Sequence, residues 1–213
     1  MFIVFEGIDG SGKTTQAELL FKRLSGLGTR VELLREPGGT KLGEGVRELL
    51  LHRADLDINA NTEFLLFSAS RAQLVAEKII PMLNQDITVI VDRYFYSSIA
   101  YQGFGRGIPI SSIEAVSEFA TQALAPDIVF LIRLDAKTAV HRRKTAKREA
   151  DRMEDSEIRF FEKVNEGFEY CARKEPDRFV IVDGMNTIEK IAENIFDAVA
   201  LRMKRAMEER NAK

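Results

Sequence analysis

The chain has 213 residues, 45% of them apolar, which is enough for one domain with a full core. A formal net charge of −2 gives no general pull toward nucleic acid or a membrane surface, so neither is an expected partner. One cysteine, Cys171, and two histidines, His52 and His141, exclude an internal disulfide and a zinc cluster. No apolar run approaches a bilayer span and no leader pattern precedes the first strand, so the expected location is the cytoplasm.

The first predicted strand, 2–5, runs directly into Gly7-Ile8-Asp9-Gly10-Ser11-Gly12-Lys13-Thr14-Thr15, and a helical pattern over 14–26 follows. Gly7-x-x-x-x-Gly12-Lys13-Thr14 between a strand and a helix is the spacing of a phosphate-binding loop. Its glycines let successive backbone N–H groups turn toward phosphate oxygens, and the helix N-terminus adds positive potential. Lys13 reaches the β- and γ-phosphates as a point charge, and the Thr14 hydroxyl is a ligand for Mg²⁺. The expected ligand is a nucleoside triphosphate.

A second strand, 31–35, ends in Glu36-Pro37-Gly38-Gly39-Thr40, a sharp turn that lets backbone approach a ligand. The helix over 41–51 carries Arg47, which is either an anion ligand or part of a solvated face. On the helix over 62–83, Phe67 and Arg71 are four apart and share a face. A ring and a guanidinium so placed suit stacking on a base and donation to its carbonyl, although a core position suits Phe67 better by pattern alone.

The third strand, 87–91, closes on Asp92-Arg93. A carboxylate at a strand end beside a phosphate loop serves Mg²⁺, and arginine grips a phosphate through two donors. The same pair on a plain surface would be worth about 0–1 kcal/mol. A helix over 110–124, a strand over 128–134 and a helix over 136–148 come next. The last of these enters a basic run, Arg142, Arg143, Lys144, Lys147, Arg148 and Arg152, against Glu149 and Asp151. Such a run is ordinarily a solvated face; beside a nucleotide site it also suits a cationic lid. A helix over 156–173, a strand over 179–182 and a helix over 187–209 complete the pattern. The last helix is expected to be capped by Asn186, to bury Ile188, Ile191, Ile195, Val199 and Met203, and to fray from Lys204 onward.

Near-continuous apolar strands alternating with helices predict a doubly wound α/β fold with a parallel sheet. Ligands of such sheets sit beyond the carboxyl ends of the strands, where the residues above cluster.

From Met1 to about Asp183 the chain resembles the thymidylate kinases, nucleoside monophosphate kinases that make dTDP from dTMP and ATP. Four segments carry the resemblance: Phe5 to Gln16 with its internal Asp9, Arg35-Glu36-Pro37-Gly38-Gly39-Thr40, Leu65 to Arg71, and Asp92-Arg93-Tyr94-Phe95-Tyr96-Ser97-Ser98-Ile99-Ala100-Tyr101-Gln102. The resemblance implies a P-loop kinase fold of three layers, with five parallel strands between helices, in one domain with a lid at about 141–154. It implies MgATP held by residues 7–15, with Asp9, Thr14 and Asp92 about the metal. It further implies dTMP held by Asp9 at the 3′-hydroxyl, Phe67 and Arg71 at the thymine, and Arg47 and Arg93 at the phosphate. Ser98 and Gln102 would meet the pyrimidine edge, Tyr101 would crowd a 2′-hydroxyl, and Glu36–Pro37 would be cis. Gly10 stands where some members carry an arginine, so the transferring phosphoryl would be served by Lys13, Arg93 and the lid cations Arg143 and Lys147. A homodimer is implied as well.

Rival readings are a nucleoside kinase using Glu36 as base, a GTPase-type switch, and a nucleotide-dependent scaffold. The switch lacks its usual signals: there is no Asn-Lys-x-Asp, and Asp92 is followed by Arg93-Tyr94-Phe95 rather than by Asp-x-x-Gly spacing.

Overall fold

A computed structural model describes residues 1–53, 55–147 and 154–211. Five strands, β1 (Phe2–Glu6), β2 (Val31–Arg35), β3 (Thr88–Asp92), β4 (Ile128–Arg133) and β5 (Phe179–Asp183), form one parallel sheet in the order β2-β3-β1-β4-β5. The strand predictions hold to within one residue at each end. Side chains alternate across the sheet. Ile3, Phe5, Ile90 and Phe130 pack on α1 (Lys13–Gly26) and α9 (Ile188–Asn211) on one side. Phe2, Val4, Val89, Val91 and Val129 pack on the other side against the remaining helices. The result is the expected three-layer sandwich.

Those remaining helices are α2 (Lys41–Leu51), α3 (Ala60–Leu74), α4 (Ile80–Asn84), α5 (Phe95–Ser98), α6 (Ile110–Thr121), α7 (Ala136–Lys147) and α8 (Glu154–Lys174). A π-helical segment, Val75–Ile79, joins α3 to α4. It ends two residues before Pro81, whose ring removes a donor and crowds the carbonyl four residues back, within this segment, so a widened turn relieves the ladder there. A second π-helical segment, Ile99–Gly105, continues α5. This whole helical stretch, 95–105, is missing from the sequence-based pattern, because Ser97, Ser98, Gly103 and Gly105 weaken helix propensity and tertiary packing overrides it.

Three expectations about α9 need correcting. Its first turn is capped by Thr187, whose Oγ1 accepts from Lys190 N at 3.3 Å, while Asn186 Nδ2 donates to Asp183 O. Of the predicted stripe, Ile191, Ile195 and Val199 are buried and Met203 packs against them, but Ile188 is exposed. The helix also continues past Lys204 to Asn211, with Lys204 and Glu208 one turn apart as an ion pair. Among the described residues, no helix is long and apolar enough to cross a membrane.

Candidate active site

The register aligns the carboxyl ends of three strands. Phe5 of β1 and Arg35 of β2 both pair with Asp92 of β3, so the loops leaving them open on one side. The loop after β1 needs its glycines. Gly7 has φ 141°, and a Cβ there would lie 2.5 Å from Ile132 O. Gly12, at φ 96°, leads into α1 in a left-handed conformation that lysine or serine would adopt only with strain. Lys13 is held back over the loop, its Nζ donating to Ile8 O at 2.9 Å. Burial and the nearby Arg93 pull its pKa down to about 8. Thr14 Oγ1 donates to Asp92 Oδ2 at 2.5 Å, so the hydroxyl spends its proton there and keeps its lone pairs to accept or ligate.

Asp92 Oδ1 is buried with no partner among the described residues. A buried, unpaired carboxylate oxygen is costly, and beside a hydroxyl of matching polarity it suits a hard cation or a water bound to one. The described residues contain no cluster of three His, Cys, Asp or Glu side chains. Mg²⁺ needs only one or two carboxylates and takes its other oxygens from phosphates and water, so Asp92 and Thr14 are the donors that could serve it here.

Arg93 follows β3 with φ 75°, a conformation that an arginine adopts only where its surroundings hold it. Glu6 and Ser97 supply that hold. The fully buried Glu6 carboxylate accepts from Tyr94 N at 2.8 Å, Ser97 N at 3.2 Å and Ser97 Oγ at 2.6 Å, and so pins the turn into α5. Burial pushes the Glu6 pKa up, opposed chiefly by Arg93. The Arg93 guanidinium donates through Nη1 to Gly7 O at 3.2 Å and Ser97 Oγ at 3.0 Å. Through Nη2 it donates to Asp9 Oδ1 at 2.5 Å and Tyr101 OH at 3.3 Å. It also lies 5.0 Å from the Tyr101 ring centroid, and that hydroxyl accepts from Asp9 N at 3.1 Å.

On the far side, the turn after β2 contains a cis Glu36–Pro37 bond, as the resemblance implies. Thr40 caps α2 by accepting from Gly43 N at 2.9 Å, and Arg47 reaches back from α2 to donate to Pro37 O at 3.0 Å. Arg71 is 1% exposed. It donates from Nε to Glu36 Oε2 at 2.7 Å, from Nη1 to Ser98 Oγ at 3.2 Å and from Nη2 to Tyr94 O at 3.4 Å. Burial, only partly offset by Arg71, pushes Glu36 up to about 7, and its Oε1 has no partner among the described residues.

These pieces border a single cleft of about 1160 Å³, larger than one drug-sized ligand needs. Asp9, Gly10, Gly12, Lys13, Thr14, Thr15 and Asp92 line one end. Glu36, Pro37, Arg47, Phe67, Tyr101 and Gln102 line the other, with Arg93 between. Phe67 is half-buried and belongs to neither apolar cluster, so its position is the cleft wall and not the core. Arg71 and Ser98 form the buried floor behind that wall, while Gly7, Ile8 and Ser11 shape the loop from within. The basic run is described in part. Arg142 lines the cleft and donates to Gly184 O at 3.2 Å, but the side chains of Arg143 and Lys147, and residues 148–153, lie outside the described residues.

The model of the thymidylate kinase family matches residues 5–195. The chain belongs to the thymidylate kinase family. It is thereby an enzyme of the nucleoside monophosphate kinase class. The thymidylate kinase of Caldanaerobacter subterraneus subsp. tengcongensis is 45% identical over 205 residues, covering 96% of this chain and 97% of that one. That of Thermosipho africanus is 46% identical over 191 residues, covering 90% and 93%. The crystal structure of thymidylate kinase from Ehrlichia chaffeensis matches with a TM-score of 0.75 at 36% identity, over 93% of this chain and 98% of that chain. Against this family background, the residues that sequence pattern missed are Glu6, Ser97, Glu63 and Arg106. Glu6 carried one signal, a lone carboxylate closing an otherwise apolar buried strand. Glu63 and Arg106 carried none, because each gains its place only from a tertiary contact.

Proposed function

We propose that this chain transfers the γ-phosphoryl of MgATP to the phosphate of dTMP, giving dTDP and ADP. The supporting observation is that one cleft joins a phosphate loop to a wall bearing an aromatic ring and an amide, with arginines between. The accepting phosphate oxygen is already anionic at neutral pH, since its second pKa is about 6, so no general base is required. A bond forms between that oxygen and the γ-phosphorus as the bond from the γ-phosphorus to the ADP oxygen breaks. Catalysis therefore consists of alignment and charge stabilisation.

In this reading the backbone of residues 7–15 and Lys13 hold ATP. Thr14 and Asp92 hold Mg²⁺, with Asp9 close by, and the ion supplies charge neutralisation on the phosphates. Phe67 stacks on thymine, Arg71 serves its O4 across the floor, Ser98 and Gln102 meet the remaining edge, and Tyr101 disfavours a 2′-hydroxyl. Glu36 and Pro37 shape the pocket above the arginine floor. Arg47 and Arg93 take the dTMP phosphate. All four terminal Arg93 hydrogen bonds go to protein acceptors, so the phosphate would replace Asp9, freeing that carboxylate for the 3′-hydroxyl. Arg143 and Lys147 act from a lid at about 141–154 on a single cytoplasmic kinase domain.

The same reading includes a homodimer. Leu42 and Leu49 on α2, Leu65 on α3 and Phe119 on α6, the last 86% exposed, leave apolar side chains on α3 and on the two helices packed against it. A second copy is the occupant we assign to them.

The test is ADP release measured against dTMP, dUMP, dCMP and thymidine as acceptors. Turnover that depends on dTMP is expected. Turnover with thymidine and not dTMP, or slow hydrolysis indifferent to any acceptor, overturns the reading.

A further inference from the structure

Two polar side chains meet at the base end of the cleft. Glu63 lies one turn before Phe67 on the same face of α3, and Gln102 stands on the facing π-helical segment. Both line the cleft. Gln102 Nε2 donates to Glu63 Oε1 at 2.9 Å. Arg106 Nη2 holds the other oxygen, Glu63 Oε2, at 3.5 Å, while its guanidinium carbon lies 5.5 Å from the Phe160 ring centroid.

An amide has two ends of opposite hydrogen-bonding sense, and a carboxylate only accepts. Glu63 therefore decides which end of Gln102 turns away from it. The NH₂ is held by the carboxylate, and the carbonyl Oε1 is the end left for a ligand. Among the described residues none donates to that oxygen. Gln102 is only 5% exposed, so a mismatched group opposite it would be desolvated without a partner.

We propose that Glu63 is a positioning residue for base selection. By fixing the Gln102 amide it presents an acceptor to the bound pyrimidine, favouring a base whose ring nitrogen carries hydrogen, such as thymine or uracil, over cytosine, whose corresponding nitrogen is itself an acceptor. The proposal rests on the dTMP kinase reading and refines it. Beside the preference that Arg71 exerts at the 4-position, this share of the discrimination comes from the sense of one hydrogen bond, which is why a neighbour that never touches the base can control it.

The experiment measures kcat and KM with dTMP and with dCMP for the full-length wild type, Glu63→Gln, Glu63→Ala and Glu63→Asp, with melting temperature recorded for each. Gln at this position keeps the volume but can donate, so Gln102 is free to turn. Ala removes the constraint by truncation, and Asp keeps an acceptor-only group. The kcat/KM preference for dTMP over dCMP should fall by about 10-fold or more in Glu63→Gln and Glu63→Ala, mainly through KM, and persist in Glu63→Asp. An unchanged preference in either folded relaxed variant overturns the assignment. So does loss of the preference in Glu63→Asp, which would trace it to packing. Wild-type protein with no dTMP-dependent turnover overturns the underlying kinase reading, and this proposal with it.

Discussion

At the phosphate end of the cleft the contacts come from backbone and strand ends, whereas at the base end they come from side chains on two helical walls. Gly7 and Gly12 hold positive φ at the first end, and the aligned termini of β1 and β3 deliver Lys13, Thr14 and Asp92. At the second end, Glu36, Arg71 and Ser98 form a buried polar floor, and Glu63 and Gln102 a bonded pair beside it. The first end is set by backbone paired into the sheet. The second is rigid only if every buried polar group keeps its partner. Substitutions at the two ends should therefore fail in different ways.

The largest effect on turnover is expected for Lys13→Ala. In the proposed role its charge acts on phosphate, and its one side-chain hydrogen bond among the described residues is to Ile8 O, so kcat should fall by about 10²–10³-fold with the fold retained, as read by steady-state kinetics and circular dichroism. Arg71→Ala should show the opposite pattern. It strands Glu36 in the interior without its cation, and unfolding in urea should show a loss of about 3–5 kcal/mol. Equal stability of the two variants would dissolve the distinction. For the proposed lid cations, Arg143→Ala or Lys147→Ala should lower kcat by about 10²-fold with little change in KM, because a cation acting on the moving phosphoryl is felt in the transition state. A rise in KM alone would make the run a docking surface for ATP.

The pH dependence sharpens the phosphate end further. The Lys13 pKa lies near 8, below its ordinary 10.5, so the cation is progressively lost as pH rises through about 8. The free-enzyme profile, kcat/KM for ATP, should bend downward there with loss of one proton. In the ATP complex the phosphates favour the charged form, so the bend in kcat should lie at higher pH. A profile flat to pH 10 would exclude Lys13 as the group responsible. A more modest effect than that of Lys13→Ala is expected at the base end. Exchange of dTMP for dUMP removes one methyl group, and kcat/KM should drop by about 10–200-fold, far less than a lost phosphate contact would cost in a truncated substrate.

The same division explains what the sequence disclosed. All five strands and the phosphate loop were legible, because buried parallel strands are apolar runs and glycine spacing is dictated by backbone geometry. Asp92 and Arg93 were legible as the residues following a strand. The helix over 95–105 was not, since its two serines and two glycines hide a conformation set by packing against α8. Phe67 was ambiguous by spacing and was resolved by its place on the cleft wall. Arg71 and Glu36 were separately visible, but their pairing spans 35 positions and has no local signature. Glu6 and Glu63 act through other side chains, a role that no motif of adjacent residues encodes.

Following the label from γ-³²P ATP in a single turnover with dTMP is the most direct test of phosphoryl transfer between the two nucleotides. The label is expected in dTDP, with inorganic phosphate a minor product. Label released as phosphate at the same rate with and without dTMP would contradict such transfer.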